Sequence, residues 1–129
     1  MEITKVTVQV PAGRYVLGDP CYTVPDENWG ELLESCKFFE NPIGEVKVDD
    51  KVHKVLAFRT AYGDGTYRDN KGNEYPVDAG LIGLVPIEYA DLEQTGLESV
   101  IVDFKALTEC SSDDEGTMYF GELKIRTGE

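Results

Sequence analysis

Valines at 6, 8 and 10 alternate with Lys5, Thr7 and Gln9. A period of two places every second side chain on one face, so this run reads as a half-buried strand. Pro11-Ala12-Gly13 reads as a turn and Arg14 to Leu17 as a second strand, which predicts an opening hairpin. Further along, Trp29, Leu32, Leu33 and Cys36 fall at i, i+3, i+4 and i+7. That spacing makes one apolar stripe on a helix, with Pro25 and Asp26 as its start signal. The stripe is read as core.

The pattern then returns to strands. Gly44 to Val48 and Val52 to Thr60 form a hairpin turned by Asp49-Asp50-Lys51. Tyr67 and Tyr75 flank another, around Asp69-Asn70-Lys71-Gly72-Asn73. Leu81 to Val85 suits a strand buried on both faces, and Pro86 opens a short helical turn through Tyr89, Asp91 and Leu92. Val100 to Lys105 is a strand, Ser111 to Gly116 an acidic loop, and Tyr119 to Arg126 a last strand. Hairpins dominate and no βαβ repeat occurs. The predicted class is therefore α+β, mostly antiparallel β (a sandwich or open barrel), with one amphipathic helix near residues 26–38. Residues 1–129 read as a single domain, long enough to bury its own core.

Charge narrows the function. There are 25 acidic and 12 basic residues, a net charge of −13. Direct nucleic-acid binding needs a basic footprint, and anionic membranes repel such a chain. A basic protein surface is favoured instead. Asp49, Asp50, Asp113, Asp114 and Glu115, with the helix acids Glu27, Glu31 and Glu34, are the candidate partner-binding residues. Three cysteines without a CxxC, and an N-terminus without a basic-then-apolar run, point to a reducing, cytoplasmic setting.

Catalytic signatures are sparse. His53 is the single histidine, so any triad or His-based acid/base scheme must use it. Its strand face is mixed, and it reads as a surface residue. No phosphate-binding glycine loop occurs. Asp64, Asp69, Asn70, Asn73, Glu74 and Asp78 crowd one region, but the helical calcium-loop pattern fails from either Asp64 or Asp69. No metal and no cofactor is expected. Cys21 lies just before the helix, but Asp19 beside it opposes a reactive thiolate. The chain therefore reads as a binding protein more than an enzyme.

Two blocks share glycine, aspartate and tyrosine at strand ends: Gly18-Asp19-Pro20-Cys21-Tyr22 and Ala61-Tyr62-Gly63-Asp64-Gly65-Thr66-Tyr67. If these ends meet, Asp19, Tyr22, Tyr62, Asp64, Tyr67 and Asp78 would line one pocket for a small polar ligand, or supply paired carboxylates to a small hydrolase. The competing expectation is that the aspartates simply accept backbone N–H bonds in turns. The motifs GDPCY, AYGDG and VDAG together resemble those of small, uncharacterised bacteriophage and bacterial proteins, over about residues 14 to 86. The resemblance implies a viral or mobile-element origin, hence the host cytoplasm, and brings no catalytic residues. The leading expectation is a phage-encoded acidic inhibitor of a host defence or nucleic-acid-acting protein.

Overall fold

A computed structural model describes residues 6–91, 100–113 and 115–127. Among them are one α-helix and eleven strands, all paired antiparallel. The strands are β1 (Val6–Val10), β2 (Gly13–Gly18), β3 (Ile43–Val48), β4 (Lys51–Arg59), β5 (Gly65–Arg68), β6 (Glu74–Val77) and β7 (Leu81–Pro86). They continue with β8 (Val100–Phe104), β9 (Thr108–Ser112), β10 (Thr117–Phe120) and β11 (Leu123–Arg126). The helix α1 spans Asp26–Ser35, after a one-turn 3-10 helix at Pro20–Tyr22. This is the mostly antiparallel β class that the hydrophobic pattern predicts.

A five-stranded sheet runs β3-β4-β7-β2-β8, and a four-stranded sheet runs β1-β9-β10-β11. The β5–β6 hairpin stands apart as a third, small sheet. Alternation along the central strands divides the core in two. Leu56 and Phe58 of β4, with Ile82 and Leu84 of β7, face the four-stranded sheet and meet Met118, Phe120 and Ile125. Val55, Ala57, Leu81 and Val85 of the same strands face α1 and meet Leu32 and Cys36. Both faces of β7 are therefore covered, as its unbroken apolar run predicts. Glycine permits one close approach there: a Cβ on Gly83 would stand 1.9 Å from the Leu56 carbonyl oxygen.

The outer edge of β3 is closed by α1. The Glu45 N–H donates to Ser35 Oγ at 2.9 Å, and the Lys47 N–H to Glu31 Oε2 at 3.1 Å. Side-chain acceptors thus replace a neighbouring strand and remove a free edge.

Three local expectations are corrected. β1 and β2 do not form a hairpin: β1 pairs with β9, while β2 pairs with β7 and β8. Alternation identifies a half-buried strand but not its partner, and the chain changes sheet at Pro11-Ala12. The helix stops at Ser35, short of residue 38, because Lys37, Phe38 and Phe39 all adopt positive φ (52°, 56° and 60°). The final strand is two strands, β10 and β11, joined by the two-residue turn Gly121-Glu122 with Phe120 opposite Leu123. The preceding acidic loop is correspondingly shorter, since Ser111 and Ser112 belong to β9. Leu92 and Asp114 lie outside the described residues. No helix among the described residues is long and apolar enough to cross a membrane.

Candidate functional site

Asp19 is the hub of the first block. Only 2% of it is exposed. It caps the 3-10 turn, with Oδ1 accepting the Cys21 N–H at 3.0 Å. Its other oxygen, Oδ2, accepts the N–H groups of Asp78 and Ala79 at 2.9 and 2.7 Å. A buried carboxylate is costly unless its lone pairs are filled, and three N–H donors fill them. The carboxylate therefore staples residues 18–22 to the Val77-Asp78-Ala79-Gly80 segment, some 60 residues away in sequence. Tyr22 adds a second tie, donating its hydroxyl to Asp78 Oδ2 at 2.5 Å.

The second block reaches the same segment through backbone. The Thr60 N–H donates to the Gly80 carbonyl at 2.9 Å. A Cβ on Gly80 would lie 3.5 Å from Gly63 Cα. Both glycines have φ near 75° (Gly63 75°, Gly80 74°), a left-handed shape that other residues adopt at a cost. Tyr67 is buried and donates its hydroxyl to the Gly63 carbonyl at 2.9 Å, so it holds the turn rather than a ligand. The Ala61 N–H donates to Thr127 Oγ1, which itself donates to the Gly116 carbonyl.

The two blocks thus meet, with residues 78–80 between them. The predicted ligand residues do not line one cavity. Asp19 and Tyr22 border a cleft of about 500 Å³ with Leu17, Thr66, Tyr75 and Val100. On the other side of the junction, Gly63, Ala79 and Gly80 border a second cleft of about 410 Å³ with Trp29, Phe38 and Arg59. Asp64 and Asp78 line neither. Asp64 and Tyr62 are exposed, and Asp64 makes no hydrogen bond within the described structure.

Titration behaviour follows from the same geometry. Burial, then the Asp19 charge, pushes the Cys21 thiol up to about 12, so it stays protonated at neutral pH. The hydrogen bond to Asp78 raises the Tyr22 phenol above its ordinary range. Asp69 is a separate structural node. Its carboxylate accepts the N–H groups of Lys71 and Asn73, the Asn73 amide and the Tyr75 hydroxyl. Burial opposes its ionisation, but these four bonds prevail and hold its carboxyl below the usual value. Among the described residues no group of three or more His, Cys, Asp or Glu is placed to hold a metal ion. His53 is half-buried and stacks on Tyr89, with ring centroids 4.5 Å apart.

The candidate partner-binding acids separate into two places. Asp49 and Asp50 turn the β3–β4 hairpin, both with positive φ, the shape a two-residue hairpin turn requires. Glu31 stands at this end, on the Lys47 N–H. α1 runs along β3 with Ser35 at Glu45 and Glu31 at Lys47, so Glu27, about one turn before Glu31, lies toward the Asp49-Asp50 end. Burial first, then the charges of Glu31 and Glu27, push the Tyr89 phenol up to about 12. Asp113 and Glu115 lie elsewhere. Asp113 Oδ1 accepts the Glu115 and Thr117 N–H groups, and the turn is tied through Gly116 and Thr127 to Ala61. Ala61 follows the far end of β4, whose nine residues span about 30 Å at roughly 3.3 Å each.

Trp29, Phe38 and Arg59 were not among the residues predicted to line a site. The one signal for this site was the doublet Phe38-Phe39 at the end of the α1 stripe, which continues past the helix that the i, i+3, i+4, i+7 spacing predicts. Phe39 is 4% exposed and Phe38 64%. No family model matches the chain, and no curated protein or solved structure matches it either, so the two clefts and the acidic end are read from their own geometry.

Proposed function

We propose that this protein acts by binding, without turnover, and that its acidic end engages a basic surface on a partner protein. The observation that carries the reading is the α1/β3 register, Ser35 at Glu45 and Glu31 at Lys47, which brings the Glu27–Glu31 end of α1 toward Asp49 and Asp50 at one end of the β3–β4 hairpin. A cluster of one sign steers an oppositely charged partner and sets its orientation. The Asp19 carboxylate is committed to three N–H bonds and the Cys21 thiol is protonated, which argues against chemistry at the first block. In its fuller form, the proposal is a phage-encoded inhibitor that occupies the anion-binding surface of a host defence or nucleic-acid-acting protein. Asp113 and Glu115 are not part of this surface.

The test is capture of partners from host lysate by immobilised protein, with elution by rising salt. Wild type should retain a partner that elutes as salt screens the contact. A Glu27→Gln, Glu31→Gln, Asp49→Asn, Asp50→Asn variant should lose it, and Asp113→Asn, Glu115→Gln should keep it. Equal retention by the first variant sinks the reading.

A second reading, a sequestering protein for a small polar ligand, is favoured by the cleft beside Asp19. Its size is that of small-molecule sites, and it offers the Tyr22 ring with apolar walls. Native mass spectrometry of freshly isolated protein should then show a bound small molecule. Uniformly bare protein would count against it.

A further inference from the structure

The end of α1 is unusual. Cys36 closes the helix, and the Phe38 N–H reaches back to the Leu33 carbonyl at 2.8 Å, a helix-terminating bond that normally follows a glycine. Here lysine takes that left-handed position, and Phe38 and Phe39 follow it with φ of 56° and 60°. Side-chain-bearing residues enter this region at a cost, and such runs persist only where the surroundings enforce them. The enforcing contacts are visible. Asn41 N–H donates to the Cys36 carbonyl, and Arg59 Nη2 donates to the Phe38 carbonyl at 2.8 Å. The outcome is that Phe39 fills the core under α1 while Phe38 is turned out into solvent.

Phe38 stands at the rim of the second cleft, about 410 Å³, whose other walls include Trp29, Leu33 and Leu81. Gly63 and Gly80, whose backbones approach closely at the junction of the second block with the Val77–Gly80 segment, also line it. Arg59 is the one charged residue lining it. Acids outnumber bases 25 to 12 in this chain, yet none of the four described ion pairs includes Arg59. Among the described residues its guanidinium makes one hydrogen bond, to the Phe38 carbonyl, so most of its five N–H donors have no partner there. An arginine fork beside aromatic faces suits a planar carboxylate carried on an apolar body.

We propose that the cleft between the end of α1 and the Gly63–Gly80 junction binds a carboxylate borne on an aromatic body, with Arg59 receiving the carboxylate and Trp29 and Phe38 flanking the ring. The site shares no residue with the acidic end, so either proposal can fail without the other.

Trp29 is the single tryptophan, which makes its emission a direct reporter. The probe is N-acetyl-phenylalanine, and the comparison is its neutral amide, N-acetyl-phenylalaninamide. The acid should change Trp29 emission saturably, with a dissociation constant on the order of 1 mM, as ordinary ligand efficiency gives for a probe of this size. The amide should bind about tenfold more weakly, the worth of one charge-assisted hydrogen bond. Arg59→Gln should erase that preference, and Phe38→Ala should weaken both probes alike. Equal binding of acid and amide to wild type overturns the proposal, as does no saturation by about 10 mM. The wild-type comparison decides the matter even if Arg59→Gln disturbs the Phe38 turn.

Discussion

Asp19→Asn changes the shape of one side chain almost not at all and should still be severe. Asp19 offers two oxygens to three N–H donors, and asparagine keeps only one oxygen. The least damaging rotamer keeps the oxygen toward Asp78 and Ala79 and points the amide at the Cys21 N–H, donor against donor. A hydrogen bond to a charged acceptor contributes about 1.5–3 kcal/mol, and a neutral one about 1 kcal/mol. One charged bond is lost and two are weakened. The lower cost of burying an amide than a carboxylate offsets part of this, leaving a net loss of about 3 kcal/mol. That is a large fraction of the roughly 5–15 kcal/mol typical of a domain, and about 10 °C in melting temperature at this size. Urea denaturation followed by Trp29 fluorescence and far-UV circular dichroism measures it. Asp64→Asn is the matched control: its exposed side chain has no hydrogen bond to lose, so it should stay within about 0.5 kcal/mol of wild type. If Asp19→Asn also falls within that range, the carboxylate is not what holds the two segments together.

Three further outcomes follow from the core and the titrating groups. Asp69 has a depressed folded pKa, so its stabilisation is complete above the unfolded value of about 3.9 and is lost as pH falls through the folded value. The gap in urea midpoint between wild type and Asp69→Asn should therefore hold at neutral pH and shrink below about pH 4; a gap constant down to pH 2 contradicts this. With its thiol pushed up to about 12, Cys21 should react with iodoacetamide at pH 7.5 on the order of 100-fold or more below a free cysteine, and normally once unfolded. Rapid labelling of Cys21 in the native chain, read by peptide mass spectrometry, would disprove the assigned environment. Gly83→Ala drives a Cβ into the Leu56 carbonyl, so it should cost more than about 4 kcal/mol or prevent folding; a stable, soluble variant would mean the central strands can separate.

Long periodic segments were legible because burial imposes its period on the chain. The unbroken run of β7 states in advance that this strand is buried on both faces, and the structure covers both with core. β4 reads only as a hairpin arm with a mixed His53 face, whereas Val55 and Ala57 on that face are fully buried under α1. The α1 stripe likewise faces the sheet through Leu32 and Cys36. What periodicity could not carry was pairing. Val6, Val8 and Val10 alternate in the same way whether the partner is β2 or β9, so the opening strand was joined to its neighbour in sequence rather than to a strand some 100 residues on. The helix end is missed for a related reason: Lys37 and Phe38 carry no local stop signal, and a tertiary bond from Arg59 to the Phe38 carbonyl, with the local Asn41–Cys36 turn bond, fixes their left-handed turn.

The sequence by itself determined the class, the doubly buried strand β7, the acidic excess and the two glycine-aspartate blocks. These depend on composition and near-neighbour spacing, which the chain displays directly. The tertiary structure alone decided that Asp19 is a buried staple, that Asp64 stands apart, and that the acidic turns lie at opposite ends of β4. It alone also set Arg59 beside Trp29 and Phe38. Those facts depend on which distant backbone donors and side chains close around a given residue. The reason is geometric: a carboxylate's role is set by the partners within about 3 Å of it, and here those partners come from segments as far as 60 residues away.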